Sequence, residues 1–168
     1  MKRTELKNRG AGLSRKTPLR SRPKLMKRDV SYTKWWAETK NCEAAAALYA
    51  RVAAYRSFMP NLPAIVSAKL DPHHVFGRNR GLGDDPRVVL KVCRLAHKFI
   101  ESRHKSGLCF CVWRLYKLGR YDPDFADRYA GRSVLGTLEN YVASADGTVA
   151  QWGKDCAREV LEAYGVRL

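Results

Sequence analysis

Three of the chain's four histidines lie in one stretch, DPHHVFGRNRGLGDDPRVVLKVCRLAHKFIE, which runs from Asp71 to Glu101. Pro72 disfavours helix for the residue before it, so KLDPHHV is predicted to be extended. Glycines and Pro86 predict a loop in FGRNRGLGDDP, and the β-branched segment RVVLKVC predicts a second strand. RLAHKFIESRHK predicts a helix. The order strand, loop, strand, helix within about 35 residues is the strongest constraint on the fold.

The spacing of the histidines predicts where their side chains point. Neighbouring residues of a strand face opposite sides, so His73 and His74 are expected to serve different roles. His97 and Glu101 are four residues apart on the predicted helix and share a face. We therefore expect His73, His97 and Glu101 to converge on one divalent ion. His74 would stand beside that ion and take a proton from water, which is the layout of a one-metal nuclease.

At this level of detail the stretch resembles the HNH endonuclease superfamily, whose strand–loop–strand–helix unit is called ββα-metal. The resemblance covers about residues 69–105, with DPHHVFGR similar to the family's first strand and VCRLAHKFIE similar to its second strand and helix. It implies that His73 and His97 are metal ligands and that His74 is the general base. Where family members often have a further histidine, this chain has Glu101, which is an acceptable oxygen donor. His104 is a less well-placed substitute.

The chain departs from the family at the middle asparagine, whose position is occupied by Val88. Valine cannot hydrogen-bond to the loop, and asparagine at this position would be expected to restore the family's tether. Asn79, Asp84 or Asp85 could do the tethering instead, and the spacing does not select one of them.

Many relatives also carry cysteine pairs for a structural zinc. Of the five cysteines only Cys93 matches such a position, with Cys42 as a distant companion. An odd number of cysteines at irregular spacing is not a disulfide framework. We therefore do not predict a structural zinc site here.

The expected cofactor is one divalent ion, Mg²⁺, Mn²⁺, Ni²⁺ or Zn²⁺. Arg78, Arg80 and Arg87 lie in or beside the predicted loop and are expected to hold phosphates near the cleaved bond. Of these three, Arg78 is predicted to be a catalytic residue together with His74. Asp71 is expected to hydrogen-bond to a ligand histidine from behind.

Charge indicates a polyanionic partner. The 168 residues contain 32 lysines and arginines against 16 acids, which gives a net charge of +16 and a pI near 10.0. Eleven of these cations and two acids fall in residues 1–29, where Gly10, Gly12, Pro18 and Pro23 oppose helix. We predict a disordered basic arm that contacts DNA phosphates through residues that include Lys24, Lys27 and Arg28. The alternative is a tail that only improves solubility.

Residues 30–168 are predicted to form a single α+β domain, in which the small HNH-type unit is embedded among helices within 31–59 and 110–165. Leu48, Val52 and Tyr55 have helical spacing in the first of these segments. Trp35 and Trp36 could stack on bases, but aromatic residues at helical spacing are more often part of a core.

No apolar run approaches the roughly 18 residues of a membrane span, and MKRTELKNRG lacks the apolar centre of a signal peptide. We therefore expect a cytoplasmic protein without membrane contact. The basic opening is also similar to phage-encoded HNH proteins associated with recombination. That similarity implies a bacterial host cell and a recombination protein as a partner.

The predicted function is that of a metal-dependent endonuclease that hydrolyses DNA phosphodiester bonds. One alternative is a catalytically inactive nucleic-acid-binding protein that keeps the fold and a structural metal site, which the valine at position 88 favours. A second alternative is a structural zinc site formed by Cys93 and His97 with His73 or His74.

Overall fold

The structure is a computed structural model that describes residues 30–58, 69–77, 84–145 and 147–167. The described elements are, in chain order, α1 (Val30–Glu38), α2 (Ala45–Arg51), α3 (Ala53–Phe58), β1 (Leu70–His74), β2 (Val89–Cys93), α4 (Arg94–Glu101), α5 (His104–Lys117), α6 (Pro123–Ala130), α7 (Val134–Ala143) and α8 (Gln151–Ala163). The prediction of an α+β fold that is mainly helical is confirmed. Residues 1–29, and with them Lys24, Lys27 and Arg28, lie outside the described residues.

The two strands form an antiparallel pair in the order predicted from the sequence. His73 is opposite Leu90 and His74 is opposite Val89, so each histidine shares a sheet face with its partner. Leu90 belongs to the main core, whereas Val89 packs in a second apolar cluster with Tyr32, Val88 and Tyr129. His73 therefore lies on the face of the sheet that packs on the main core, and His74 lies on the face that packs on the second apolar cluster.

A two-stranded sheet is marginal by itself, and the outer edge of β2 is closed by Glu43. The Glu43 amide donates to the Lys91 carbonyl at 2.8 Å, and the Lys91 amide donates to Glu43 Oε2 at 2.7 Å. The same carboxylate accepts from Arg120 at 2.9 Å and from the Trp35 indole at 3.3 Å. Glu43 thus takes the place of a third strand at this position and ties β2 to α1 and to the segment after α5.

The aromatic pair in α1 is half-buried and packs against the core, as the helical spacing favoured. Trp35 and Trp36 lie against the second apolar cluster, and the Lys91 ammonium is 4.3 Å from the centre of a Trp36 ring. Lys91 is only 8% exposed and donates to the carbonyls of Trp36 and Thr39 at 2.5 Å each. This lysine is therefore a structural cation.

The prediction of continuous helix through Leu48, Val52 and Tyr55 is wrong at its middle. Val52 is extended, with φ −116° and ψ 102°, and separates α2 from α3. All three side chains are nevertheless buried in the main core. The β-branched Val52 leaves the helical conformation at little cost, and the bend keeps the apolar side chains on the inside.

The C-terminal half packs α5 against α8 at close range. A Cβ atom at Gly153 would lie 2.8 Å from Ser106 Cα, so only glycine allows this approach. Ser106 is buried and accepts a hydrogen bond from the Ala150 amide at 2.8 Å, which fixes the start of α8. The helix therefore begins at Gln151. Among the described residues, no helix combines the length and apolar character of a membrane span.

Candidate metal centre

The junction between β2 and α4 places the helical ligands beside β1. Cys93 is the last residue of β2 and also the N-cap of α4, so no loop intervenes. Ala96, Phe99 and Ile100 bury one face of α4 in the core. Their burial turns the stripe that carries His97 and Glu101 toward the edge of the sheet. The apolar periodicity of α4 thus sets the orientation of its polar residues.

His73, His97 and Glu101 form a group of three donors whose ligand atoms all lie within 4.8 Å of one another. The rings of His73 and His97 meet edge to face with centroids 4.9 Å apart, and His97 Nε2 is 3.1 Å from Glu101 Oε1. Ligand atoms bound about 2.1 Å from one ion lie at most about 4.2 Å apart. The donors therefore lie at most about 0.6 Å further apart than one ion would hold them.

The chemistry of these residues fits a divalent ion. Burial, with smaller effects of His97 and His74, lowers the pKa of His73 to about 4, so its imidazole is neutral at pH 7 and can bind metal. His97 Nδ1 is buried and has no hydrogen-bond partner among the described residues. Two imidazoles and one carboxylate are typical of Zn²⁺, Ni²⁺, Fe²⁺ or Mn²⁺ sites with open positions.

His74 is directed away from this group, as the strand alternation predicts. Its side chain is 10% exposed, and its Nε2 lies 3.5 Å from Oδ1 of Asp84, which is 27% exposed. Nδ1 of the same ring is buried. Nε2 is therefore the ring nitrogen that faces Asp84, whose side chain is more exposed than that of His74.

Asp71 and Arg87 have partners that differ from the predicted ones. The Asp71 carboxylate is 3.6 Å from Arg94, and within the described part of the chain no contact joins it to a ligand histidine. Arg87 donates to both carboxylate oxygens of Asp85, at 3.0 and 2.9 Å, and stacks on the Phe125 ring at 3.6 Å. These contacts hold Arg87 in the protein, and its binding of phosphate remains a prediction. Arg78, Asn79 and Arg80 lie outside the described residues.

His104 and the cysteines are not part of the group of donors. His104 begins α5, because α4 ends at Glu101 and the predicted single helix breaks at Ser102 and Arg103. Cys42 Sγ accepts from the amides of Cys93 and Ala45 at 3.2 and 3.3 Å. A side-chain hydrogen bond with Cys93, together with burial, raises the pKa of the Cys42 thiol.

The two buried thiols thus form a structural pair. The donor group found within the described residues contains neither cysteine. Nothing in this geometry favours the zinc site of Cys93 and His97 that was one of the alternatives.

Val88 is fully buried in the second apolar cluster. Its backbone carbonyl accepts from the Val75 amide at 3.0 Å, so the main chain itself joins the strand ends at this point. An asparagine side chain at position 88 would enter an apolar environment. This burial argues against the expectation that asparagine would restore a tether there.

Sequence reasoning did not single out Arg94 and Lys98, which lie on α4 beside the ligand stripe. The Arg94 side chain is 70% exposed and Lys98 is exposed. Positions 94 and 98 are one helical turn apart and lie next to 97 and 101 around the helix. Arg94 and Lys98 could have been identified from the sequence, because they are basic residues on the same amphipathic helix as the candidate ligands.

Comparisons with models of protein families, with curated proteins and with solved structures found no match.

Proposed function

We propose that this chain is an HNH-type, divalent-metal-dependent endonuclease that hydrolyses phosphodiester bonds in DNA. The observation that carries the proposal is the grouping of His73, His97 and Glu101 within 4.8 Å, with His74 on the opposite face of the same strand. Strand β1, strand β2 and helix α4 then correspond to the ββα-metal unit. His73 on β1 meets His97 and Glu101 on α4, although these residues are 24 or more positions away in the chain.

In this proposal His73, His97 and Glu101 hold one ion and His74 works on water. The ion, when bound, would stabilise negative charge on the phosphate during hydrolysis. His74 accepts a proton from the attacking water, and positioned bases of this kind typically contribute about 10²–10⁴-fold to the rate. The His74 ring lies next to Asp84, on the other face of β1 from His73, so it is not one of the three donors.

The basic surface supports a nucleic acid as substrate. The chain has a net charge of +16, and Arg94 and Lys98 place two exposed cations beside the candidate ligands. Cations at this position would contact phosphates next to the cleaved bond and release counterions on binding. We further propose that the protein is encoded by a phage and works in the cytoplasm of a bacterial host. We also propose that its partner is a recombination protein.

The test is a cleavage assay on purified full-length protein with duplex, single-stranded and branched DNA and with RNA. Each substrate is incubated with Mg²⁺, Mn²⁺, Ni²⁺ or Zn²⁺, and a parallel series contains a chelator. We expect cleavage of at least one DNA form that requires metal and that disappears in His73→Ala and His97→Ala proteins. Metal-independent cleavage, or equal cleavage by these variants, would contradict the proposal.

The valine at position 88, which has no polar side chain to offer, favours a second function, that of a nucleic-acid-binding protein without catalysis. In that case the protein would bind DNA with any of these ions and cleave none of the substrates. Thermal unfolding distinguishes the two functions further. A structural ion should raise the melting temperature strongly, whereas a catalytic ion should be needed mainly for cleavage.

A further inference from the structure

We infer that Asp84 and His74 hold the attacking water between them, so that Asp84 is a second catalytic residue of this site. The inference rests on the proposed function. It assigns a role to one of the three residues that the sequence left as equal candidates.

The separation of the two groups suits a shared water. His74 Nε2 and Asp84 Oδ1 are 3.5 Å apart. Direct hydrogen bonds of nitrogen to oxygen are typically about 2.7–3.2 Å long, so this contact is weak as a direct bond. A water beside the pair can be within hydrogen-bonding distance of both atoms at once. Asp84 is the more exposed of the two side chains, at 27% against 10% for His74.

The other described candidate is already engaged. Asp85 Oδ1 accepts from the amide of Arg87 at 2.8 Å and from its side chain at 3.0 Å, and Oδ2 accepts at 2.9 Å. This ion pair lowers the pKa of Asp85 despite its burial and stabilises the turn before β2. Asp84 directs its carboxylate to His74 instead, so the adjacent acids have separate tasks.

Val88 has no polar side-chain atom with which to hold a water, so a second contact must come from another residue. A single contact with His74 leaves a water free to rotate, whereas two contacts fix the direction of its lone pair. One O–H of the water gives its proton to His74 Nε2, and the other O–H donates a hydrogen bond to Asp84 Oδ1. The water oxygen forms the new bond to phosphorus, and the bond from phosphorus to the leaving oxygen breaks with its electron pair.

The experiment compares steady-state cleavage by wild type, Asp84→Ala and Asp84→Asn, with Asp124→Asn as the control for loss of one acid. Asp124 is exposed on α6 and remote in sequence from the site. We expect Asp84→Ala to lower kcat roughly 10- to 100-fold with KM little changed, as for other residues that orient catalytic groups. Asn keeps an acceptor oxygen, so Asp84→Asn should recover most of the rate. Asp124→Asn should cleave like wild type.

A second readout does not depend on cleavage. Calorimetric titration with Mn²⁺ should give the same affinity for wild type and Asp84→Ala, because Asp84 is not a ligand. A wild-type kcat in Asp84→Ala, or a loss of metal binding with the rate, would overturn this inference and leave the proposed function standing. Absence of cleavage by wild type would overturn both.

Discussion

His73 on β1 and His97 on α4 place their imidazole rings edge to face, with an angle of 83° between planes and 4.9 Å between centroids. The chain separates these residues by the whole of β2 and its preceding loop. They meet because β2 pairs antiparallel with β1 and continues directly into α4. The contact is the geometric basis of the proposed metal site.

Replacement of Glu101 tests the third ligand. Glu101→Ala should lower the affinity for a divalent ion, since it removes the only oxygen donor of the group formed by the described residues. The affinity should fall roughly 10- to 100-fold, which is the loss typically seen when a residue that supports a metal site is replaced. Glu101→His should restore binding, because imidazole is also a ligand. Calorimetric titration measures both.

Glu139→Ala is the matched control, because Glu139 is an exposed acid on α7. It should bind the ion as wild type does. Unchanged affinity in Glu101→Ala would show that another group fills this coordination position and that the assignment is wrong.

Val88→Asn should destabilise the protein. The side chain at position 88 is fully buried among apolar neighbours, and a buried amide without partners costs about 1–3 kcal/mol. Urea unfolding should show a lower midpoint at an unchanged slope. Val88→Thr, of similar shape and with a single hydroxyl, should lose less. If Val88→Asn were as stable as wild type and cleaved faster, asparagine would be a functional tether there after all.

Glu43→Ala should have the largest effect on stability among these variants. It leaves the Arg120 guanidinium and the Lys91 amide without their carboxylate, and the two side chains of the ion pair are only 16% and 10% exposed. Breaking a buried pair on one side typically costs about 3–5 kcal/mol. Thermal unfolding checks the prediction, and Glu38→Ala, which changes an exposed acid of α1, should have little effect. Equal melting temperatures would show that Glu43 does not anchor β2.

Deletion of residues 1–29 should weaken DNA binding and flatten its dependence on salt. These residues carry eleven lysines and arginines against two acids, so fewer counterions are released without them. Fluorescence anisotropy at several salt concentrations measures the slope. The same slope in the truncated and the full-length protein would mean that the arm does not contact phosphates.

The local elements near the histidines could be predicted because their sequence signals are strong and short-range. Pro72 predicts the first strand, and the run of β-branched residues predicts the second. The helix that follows carries His97 and Glu101 at helical spacing. The opposite directions of His73 and His74 follow from the alternation of a strand alone. For these reasons the group of donors in the structure is the one expected.

Features that depend on distant residues could not be predicted. Glu43 meets Lys91 across 48 positions, and nothing local to either residue signals the contact. The engagement of Arg87 by Asp85 and Phe125 likewise requires α6 to pack beside the turn. The break at Val52 is set by packing, since its neighbours all favour helix. Asp84 could be chosen over Asp85 as the partner of His74 only once the structure showed that Arg87 occupies the Asp85 carboxylate.

The most direct test compares cleavage by wild type and His74→Ala while the bound ion is counted in the same samples. The account predicts one ion per chain in both proteins and about 10²–10⁴-fold slower cleavage by the variant, because only the proton acceptor is removed. His73→Ala and His97→Ala should lose ion and cleavage together. Wild-type cleavage by His74→Ala protein that retains its ion would contradict the account.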